Sequence, residues 1–492
     1  MSALLPFGRQ TVGSLLVERA AATPHAPFLT FDDGDATFDY ADTVRLAERG
    51  AAVLAGAGVG RGDRVALVLD NRPEFLACWF GAAMIGAVIV PTGPQTSAEE
   101  LRHIVGHARC RVVVCTPDLG GLVTTDDVVL VTTGSDFDTR AAAPAPPADP
   151  AVSPLDPLAI LYTSGTTSRP KGVVVTHANY LVAGEVVAGR LRMRPDDRWL
   201  VVLPLFHANA QYYCVMSAMV TGASVAVAHR FSASGWPLQA RRHRASLASL
   251  FAAPIRMILA QPPRPDDAGN RLRATLFAQN LTADQLAAFE ERFGCPLVQI
   301  YGMTETVAPP LMNALYGRRD NMTIGRPSLP TGVRIVSDEL WVPGRPGVTL
   351  MSGYLDDQAA TDAALRDGWL RTGDVIGLQP DGLIAFRDRA KDMIKRSGEN
   401  VAAAEVERVV NEHPLVFESA AVGVPDPIRD EAIKVYVVLE PGAELGEGEL
   451  IAFCAARLTS FKVPGQIRFI DALPRTSVGK VRKHLLKTID DT

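Results

Sequence analysis

The sequence lacks the paired cysteines and clustered histidines from which structural zinc sites and disulfide frameworks are built. Its cysteines are scattered and form no CxxC pair: Cys78, Cys110, Cys115, Cys214, Cys295 and Cys454. Isolated thiols are typical of a reducing compartment, so we expect a cytoplasmic protein without a zinc centre.

A basic surplus and a long apolar run are also missing. The formal net charge is -5, which argues against nucleic acid or an anionic membrane as the main partner. The first residues contain no sustained apolar core after a basic region, so no signal peptide is predicted. The most apolar run, residues 75–91, contains Gly81 and Gly86 and falls short of a membrane span. It predicts a buried helix followed by a buried strand.

Wholly apolar strand patterns alternate with helical patterns through most of the chain. Early examples are residues 65–69, 87–90 and 111–115, and residues 247–251 and 297–300 repeat the pattern later. Strands that are apolar throughout indicate a parallel sheet covered on both faces, with ligands at the carboxyl ends of its strands. The predicted fold class is α/β, with two parallel α/β sheets in one large N-terminal domain.

The whole chain, at 492 residues, is longer than a single ordinary core allows. Its last third has a different composition. Short strand patterns rich in Gly and Pro predict a small β subdomain at about residues 324–387. We predict an N-terminal domain over 1–387, a hinge at 388–391 within a charged cluster, and a small, mobile α+β lid domain over 392–492.

An apolar run near residue 160 breaks into hydroxyls and glycines and closes on Pro170, Lys171 and Gly172. Such a loop offers backbone N–H groups, hydroxyls and one cation to a polyphosphate. A Walker loop would end in Gly-Lys-Ser/Thr and lead into a helix, whereas here Pro170 precedes the lysine and β-branched residues follow. The chain is therefore not predicted to be a P-loop NTPase. The alternative interpretation of this loop is a surface hairpin.

Five segments together resemble the adenylate-forming superfamily, which includes acyl-CoA synthetases, peptide-synthetase adenylation domains and firefly luciferase. They occur in the family's order and approximate spacing over nearly the whole chain: residues 162–173, 301–305, 368–374, 389–401 and 474–480. The resemblance implies activation of a carboxylic acid by ATP, with Mg²⁺ and CoA as the expected cofactors.

The resemblance assigns the phosphates and the metal ion to two of these segments. Glu305 and Thr166 match the magnesium-associated positions, and a carboxylate is a suitable ligand for this hard cation. Ser168 replaces the usual glycine, which would strain the loop if its backbone needs positive φ. The phosphate-binding residues implied are Thr163, Ser164, Gly165, Thr166, Thr167 and Lys171.

The remaining segments supply the nucleotide site, the hinge and the mobile groups. Asp374 corresponds to the acceptor of the ribose hydroxyls, and Lys480 to the lysine that enters the site during adenylation. Lys391 is the expected hinge, and Gly398 the expected wall of the CoA tunnel. The resemblance places the other nucleotide contacts at Gln299, Tyr301, Gly302, Thr304 and Arg389.

The acyl pocket is predicted from polar residues in two stretches. His207 is the candidate gate and catalytic residue, and a packed core histidine is the alternative. The remaining substrate-pocket candidates are Asn209, Gln211, Gln279, Asn280 and Met303. This polar set favours a small or polar acid over a long fatty chain, and the stretches around His207 and Asn280 resemble the carnitine- and crotonobetaine-type CoA ligases.

The predicted reaction is ATP-dependent formation of an acyl-adenylate with release of pyrophosphate, followed by transfer to the thiol of CoA. One alternative is transfer to an acyl carrier protein or another nucleophile. Another is a non-catalytic nucleotide-binding relative, suggested by Ser168 and the altered turn at 278–281. We expect a monomer or a homodimer, with a small carboxylic acid as the substrate.

Overall fold

The computed structural model describes residues 8–32, 36–122, 128–163, 170–389, 392–396, 399–426, 430–475 and 481–487. It confirms the predicted α/β fold class, because two large sheets with parallel centres precede a smaller C-terminal unit. No helix within these ranges is long and apolar enough to cross a membrane.

The first large sheet has a centre of parallel strands and antiparallel strands at both edges. Its strands lie in this spatial order: Arg326–Pro327, Leu311–Met312, Leu297–Tyr301, Ala274–Ala278, Leu247–Phe251, Arg198–Val201, Ser224–Val227, Pro27–Phe31 and Thr37–Asp39. The carboxyl end of Leu297–Tyr301 leads directly into the predicted nucleotide residues.

The second large sheet carries the two arms of the predicted phosphate loop, Pro157–Thr163 and Lys171–Thr176, paired antiparallel. Its other strands run parallel to one another apart from the edge strand Gly353–Tyr354, which pairs antiparallel with Lys171–Thr176. The spatial order is Gly353–Tyr354, Lys171–Thr176, Pro157–Thr163, Val88–Thr92, Arg64–Val68, Cys110–Cys115 and Val129–Thr132.

Two smaller sheets follow. An antiparallel sheet contains Arg334–Val336, Glu339–Pro343, Leu365–Arg366, Trp369–Leu378 and Ile384–Arg389. The C-terminal sheet contains Met393–Arg396, Glu399–Ala402, Val416–Asp426, Asp430–Leu439 and Gln466–Phe469. It packs on its own hydrophobic cluster, which includes Val406, Val435 and Leu450. Two short strands inside residues 324–387, Arg326–Pro327 and Gly353–Tyr354, belong to the large sheets rather than to the small one.

Helices cover the sheets, and several of them begin at a capping box, in which the side chain of Thr11, Asp39, Thr176 or Thr282 accepts a backbone N–H. In the N-terminal part they are Val12–Ala22, Tyr40–Gly56, Pro73–Ile85, Ala98–His107, Ser135–Ala141, His177–Leu191, Met216–Thr221, Trp236–Arg242, Ala252–Leu259, Ala283–Phe293 and Gln358–Ala364. In the C-terminal part they are Ala403–Asn411, Glu447–Ala455 and Lys483–Leu486.

One helix changes type along its length. The segment begins as a π-helix, Asn209–Val215, and then becomes α-helical at Met216–Thr221. The hydrophobic pattern could not show this, because every residue of the π-helix is buried. Wide turns of this kind occur frequently at functional sites.

Helices Tyr40–Gly56 and Pro73–Ile85 cross in direct backbone contact at Gly50 and Gly81. A Cβ atom on Gly50 would lie 1.9 Å from the carbonyl oxygen of Ala77. We therefore expect Gly50→Ala to lower the free energy of unfolding by about 1–3 kcal/mol through overpacking. Gly56→Ala in the same helix is the matched control, because nothing lies within 4 Å of its Cβ. Chemical denaturation of both variants tests this, and equal stability would contradict the close crossing.

Candidate active site

Asp374, Arg389 and Tyr301 form a single cluster at the end of the strand Leu297–Tyr301. The strands Trp369–Leu378 and Ile384–Arg389 place Asp374 directly opposite Arg389, and Nε of Arg389 lies 3.1 Å from Oδ1 of Asp374. The Tyr301 hydroxyl donates a hydrogen bond to Oδ2 of the same carboxylate. Arg389 and Tyr301, from two other motifs, therefore meet on the carboxylate of Asp374.

Burial and charge fix the ionisation of this cluster. Asp374 is 2% exposed. Burial lowers the pKa of the Arg389 guanidinium, but the charges of Asp374 and Glu305 outweigh this and raise that pKa above its usual range. Burial and the Asp374 charge raise the pKa of the Tyr301 phenol, which therefore remains a hydrogen-bond donor. Carboxylate oxygens can accept several hydrogen bonds, so Asp374 has the chemistry to receive sugar hydroxyls as well.

The strand continues through Gly302 and Met303 into the short 3₁₀ turn Thr304–Thr306, which carries Glu305. A Cβ on Gly302 would stand 2.8 Å from the Tyr213 hydroxyl, so the absence of a side chain there lets the π-helix approach the strand end. Directly after the turn, Val307 has φ of 63° and ψ of -82°. A β-branched residue in this region costs on the order of 1–3 kcal/mol, and such strain clusters at functional sites.

Glu305 and Lys171 both contact Tyr354, a residue that the sequence did not predict. The Tyr354 hydroxyl donates to Oε1 of Glu305 at 3.0 Å. Nζ of Lys171 lies 4.8 Å from the centre of the Tyr354 ring. The strand to which Tyr354 belongs is only two residues long and has no periodic pattern. Its Gly-Tyr pair after a turn was the only available signal.

The altered turn at 278–281 contacts Gln299. Nε2 of Gln299 donates to the carbonyl oxygen of Gln279 at 3.2 Å, and Gln279 adopts a positive φ of 77°. Gln299 is buried, and its Oε1 atom has no hydrogen-bond partner in the described ranges. An unpartnered buried acceptor suits the exocyclic amine of adenine, which is a donor. The site thus fits an adenine at the predicted place.

Arg256 holds the other side of this turn and was also missed by the sequence predictions. Its Nη2 atom donates to the carbonyl oxygen of Asn280 at 2.7 Å. Burial lowers the pKa of Arg256, and the negative charge of Glu418 in the C-terminal part only partly opposes this shift. Arginine on an otherwise apolar helix gave no motif from which its partner could be predicted.

Several of the predicted acyl-pocket residues make contacts within the protein. Gln211 is bonded within the protein, since it accepts from the Tyr180 hydroxyl and donates to the carbonyl oxygen of Leu205. These bonds favour a packing role for Gln211. Asn209 accepts from the Ser249 hydroxyl at 2.8 Å, and the His207 ring packs against Phe206 with 4.5 Å between centroids.

Two further predicted residues lie at the ends of strands or turns, and the others lie outside the described residues. Thr163 lies at the end of its strand opposite Lys171, and the backbone of Met303 closes the turn by accepting from the hydroxyl of Thr306. Ser164, Gly165, Thr166, Thr167, Ser168, Lys391, Gly398 and Lys480 lie outside the described residues, and their roles stay predictions.

Asp388, the first residue of the predicted hinge, connects the two parts of the chain. Its carboxylate accepts from the backbone N–H of Arg389 at 2.7 Å and from that of Ala404 at 3.2 Å. Ala404 lies in the first turn of the helix Ala403–Asn411, whose own N-cap residue provides no side-chain bond. Burial raises the pKa of Asp388 to about 6, and the Lys483 ammonium partly opposes that rise. Asp388 therefore caps a helix across the predicted domain boundary.

Comparison with protein families agrees with this geometry. Residues 16–355 match the AMP-binding enzyme family, and residues 405–480 match the AMP-binding enzyme C-terminal domain. A crotonobetaine/carnitine–CoA ligase of Proteus mirabilis (strain HI4320) is 35% identical over 97% of this chain and 99% of its own length.

Solved structures of similar proteins match over nearly the full length. ATP-bound MatB from Rhodopseudomonas palustris superposes with a TM-score of 0.88 at 26% identity, covering 97% of this chain and 98% of that chain. Apo MatB from the same organism gives a TM-score of 0.76 at the same identity and coverage. o-Succinylbenzoate CoA synthetase (MenE) from Bacillus subtilis with its acyl-adenylate gives 0.87 at 27% identity, covering 97% and 98%. The chain belongs to the AMP-binding enzyme family.

Proposed function

We propose that this protein is an AMP-forming acid:CoA ligase. A carboxylate oxygen of the acid attacks the α-phosphorus of ATP, which forms the acyl-adenylate and releases pyrophosphate. The CoA thiol then attacks the acyl carbon, which forms the thioester and releases AMP. The observation that carries the proposal is the meeting of Glu305 and Lys171, from separate motifs, on Tyr354, together with the ion pair of the buried Asp374 with Arg389.

Each group of the site has a role in the first half-reaction. Asp374 accepts hydrogen bonds from the ribose, and the unpartnered amide oxygen of Gln299 accepts from adenine. Lys171 offers an ammonium to the phosphates, with Thr163 at the start of the same loop. Such fixed charges reduce the repulsion between an incoming carboxylate and the α-phosphate. Lys480 is proposed to enter the site at this stage.

Glu305 fits a magnesium ion by its chemistry. It is a buried carboxylate that accepts one hydrogen bond from Tyr354 through Oε1, and magnesium is commonly bound by one or two carboxylates together with substrate phosphates. Thr166 is the second proposed contact. When bound, the ion neutralises phosphate charge and orients the phosphates.

The arrangement of the two domains supports an adenylating conformation. The two MatB structures are of one protein, so their different similarity to this chain reflects conformation rather than sequence. The higher score belongs to the ATP-bound form. We infer that rotation at Lys391 would carry Lys480 away and bring Gly398 to the CoA tunnel, so that one site performs two reactions in turn.

We propose a small or polar acid as the substrate. The Tyr213 hydroxyl stands against Gly302 at the strand end and places a polar group beside the proposed site. His207, Asn209 and the turn at Gln279 and Asn280 remain the candidate contacts. The Proteus relative is named for crotonobetaine and carnitine, which are small polar acids and therefore the first candidates.

Pyrophosphate release over a panel of acids, with and without CoA, tests this function. The panel should contain crotonobetaine, carnitine, short unsubstituted acids, aromatic acids and a long-chain fatty acid. We expect release with a small polar acid and conversion to its CoA thioester only when CoA is present. Adenylation without thioester formation would favour a carrier protein or another nucleophile as the acceptor. ATP binding without release for any acid would favour the non-catalytic alternative.

A further inference from the structure

We propose that Tyr354 is a positioning residue that keeps Glu305 and Lys171 apart and oriented for the magnesium complex of ATP. This inference rests on the proposed function. Its two parts are separable, since the hydroxyl acts on Glu305 and the ring acts on Lys171.

Sheet register explains why Tyr354 reaches Lys171. The edge strand Gly353–Tyr354 pairs antiparallel with Lys171–Thr176, and Tyr354 lies opposite Val173. Lys171 is two residues before Val173, so both side chains point to the same face of the sheet. A diagonal neighbour of this kind is within reach of an aromatic ring, and the ammonium lies 4.8 Å from the ring centre.

The segment that carries Tyr354 is bound to Glu305 at two points. The backbone N–H of Met351 donates to the carbonyl oxygen of Glu305 at 2.9 Å, and the Tyr354 hydroxyl donates to its carboxylate at 3.0 Å. The hydroxyl of Thr361 accepts from the Tyr354 N–H at 2.9 Å and fixes the backbone there. Burial, followed by the charge of Glu305, raises the pKa of the Tyr354 phenol, so it stays protonated.

Lys171 and Glu305, a cation and an anion, therefore both contact Tyr354. Glu305 and Lys171 form no ion pair in the part of the chain that the structure describes. A direct pair would compete with both phosphate and metal for the same groups. The ring also restricts a lysine side chain that would otherwise lose much conformational entropy when it binds a phosphate.

Calorimetric titration of ATP at a series of Mg²⁺ concentrations, without acid or CoA, tests the hydroxyl. Tyr354→Phe removes only the bond to Glu305. We expect the Mg²⁺ concentration that half-saturates the metal-dependent gain in ATP affinity to rise about tenfold, as found for the loss of groups that orient metal ligands. Tyr40→Phe is the matched control, because its buried hydroxyl donates to the carbonyl oxygen of Ala223 at 2.9 Å.

Tyr354→Leu tests the ring. At saturating Mg²⁺ we expect it to weaken ATP binding about threefold more than Tyr354→Phe does, because the cation–π contact is lost. If the leucine variant does not fold, Tyr354→Met keeps the bulk without the ring and replaces it. Equal ATP affinity in the phenylalanine variant and the folded ring-less variant would overturn the role of the ring.

An unchanged Mg²⁺ requirement in folded Tyr354→Phe would overturn the role of the hydroxyl. The wild-type protein separates this failure from that of the proposed function. If it releases pyrophosphate with an acid while the Tyr354 variants match it in titration, only the positioning role is wrong. If it binds ATP but activates no acid, the proposed function fails and the Tyr354 comparison still stands.

Discussion

Asp374→Ala is expected to lower kcat/KM for ATP by about a hundredfold. The carboxylate is buried and contacts both Arg389 and Tyr301, so its removal takes away the proposed ribose acceptor and leaves the partly exposed Arg389 guanidinium without this partner. A hundredfold loss corresponds to about 2.7 kcal/mol, which is at the lower end of the range for a fully buried charge pair. The lower kcat/KM should arise mainly from a higher KM for ATP, since the ribose does not react.

Initial rates of acid-dependent pyrophosphate release against ATP concentration measure this effect. Asp267→Ala provides a matched control, because Asp267 is also a buried carboxylate, 2.7 Å from Arg292, and has no assigned contact with the nucleotide. The control should lose stability without a comparable change in KM. Similar KM values for both variants would remove Asp374 from the nucleotide site.

Glu305→Gln is expected to reduce the maximal rate of adenylation by about 10²–10³-fold, a range typical for the loss of one group that stabilises transition-state charge. Glutamine keeps an oxygen that can accept from the Tyr354 hydroxyl, so the local packing is retained. It removes the negative charge on which the proposed magnesium contact depends. The loss should therefore be largest at low Mg²⁺ and only partly recovered at high Mg²⁺.

Single-turnover pyrophosphate release over a range of Mg²⁺ concentrations measures both the maximal rate of adenylation and its dependence on Mg²⁺. Glu290→Gln serves as the control. Glu290 accepts the backbone N–H of Leu297 at 2.8 Å, at the start of the strand Leu297–Tyr301, whereas Glu305 follows the end of that strand. Thermal denaturation should show both variants folded. An adenylation rate within threefold of wild type in Glu305→Gln would exclude a role for this carboxylate in the first half-reaction.

The sequence predicted the sheets and the ends of their strands well, because fully apolar strands between helical patterns leave few alternatives. Lys171 could be located from the polar loop that follows an apolar strand, whereas Tyr301 and Glu305 came from the family resemblance. Asp374 and Arg389 came from family resemblance, and the antiparallel register explains why they meet.

Residues whose partners lie far away in the chain could not be predicted. Tyr354 sits in a strand of two residues, and Asp388 caps a helix that begins well beyond it. Gln211 is a different case. Its polarity predicted a substrate contact, which stays a prediction, and the sequence does not show that Tyr180 and Leu205 hydrogen-bond to its side chain.

The hydrogen bond from the Ala404 N–H to Asp388 would affect how fast the C-terminal domain leaves this arrangement. The proposed rotation at Lys391 would separate Asp388 from Ala404, so the hydrogen bond between them would break each time the C-terminal domain leaves this arrangement. A capping bond is worth about 1 kcal/mol, which lengthens the dwell time in the arrangement about fivefold if the bond is lost before the rotational barrier is crossed. Burial raises the pKa of Asp388 to about 6 in this arrangement, so proton uptake below about pH 6 would favour this arrangement over one in which the carboxylate is exposed.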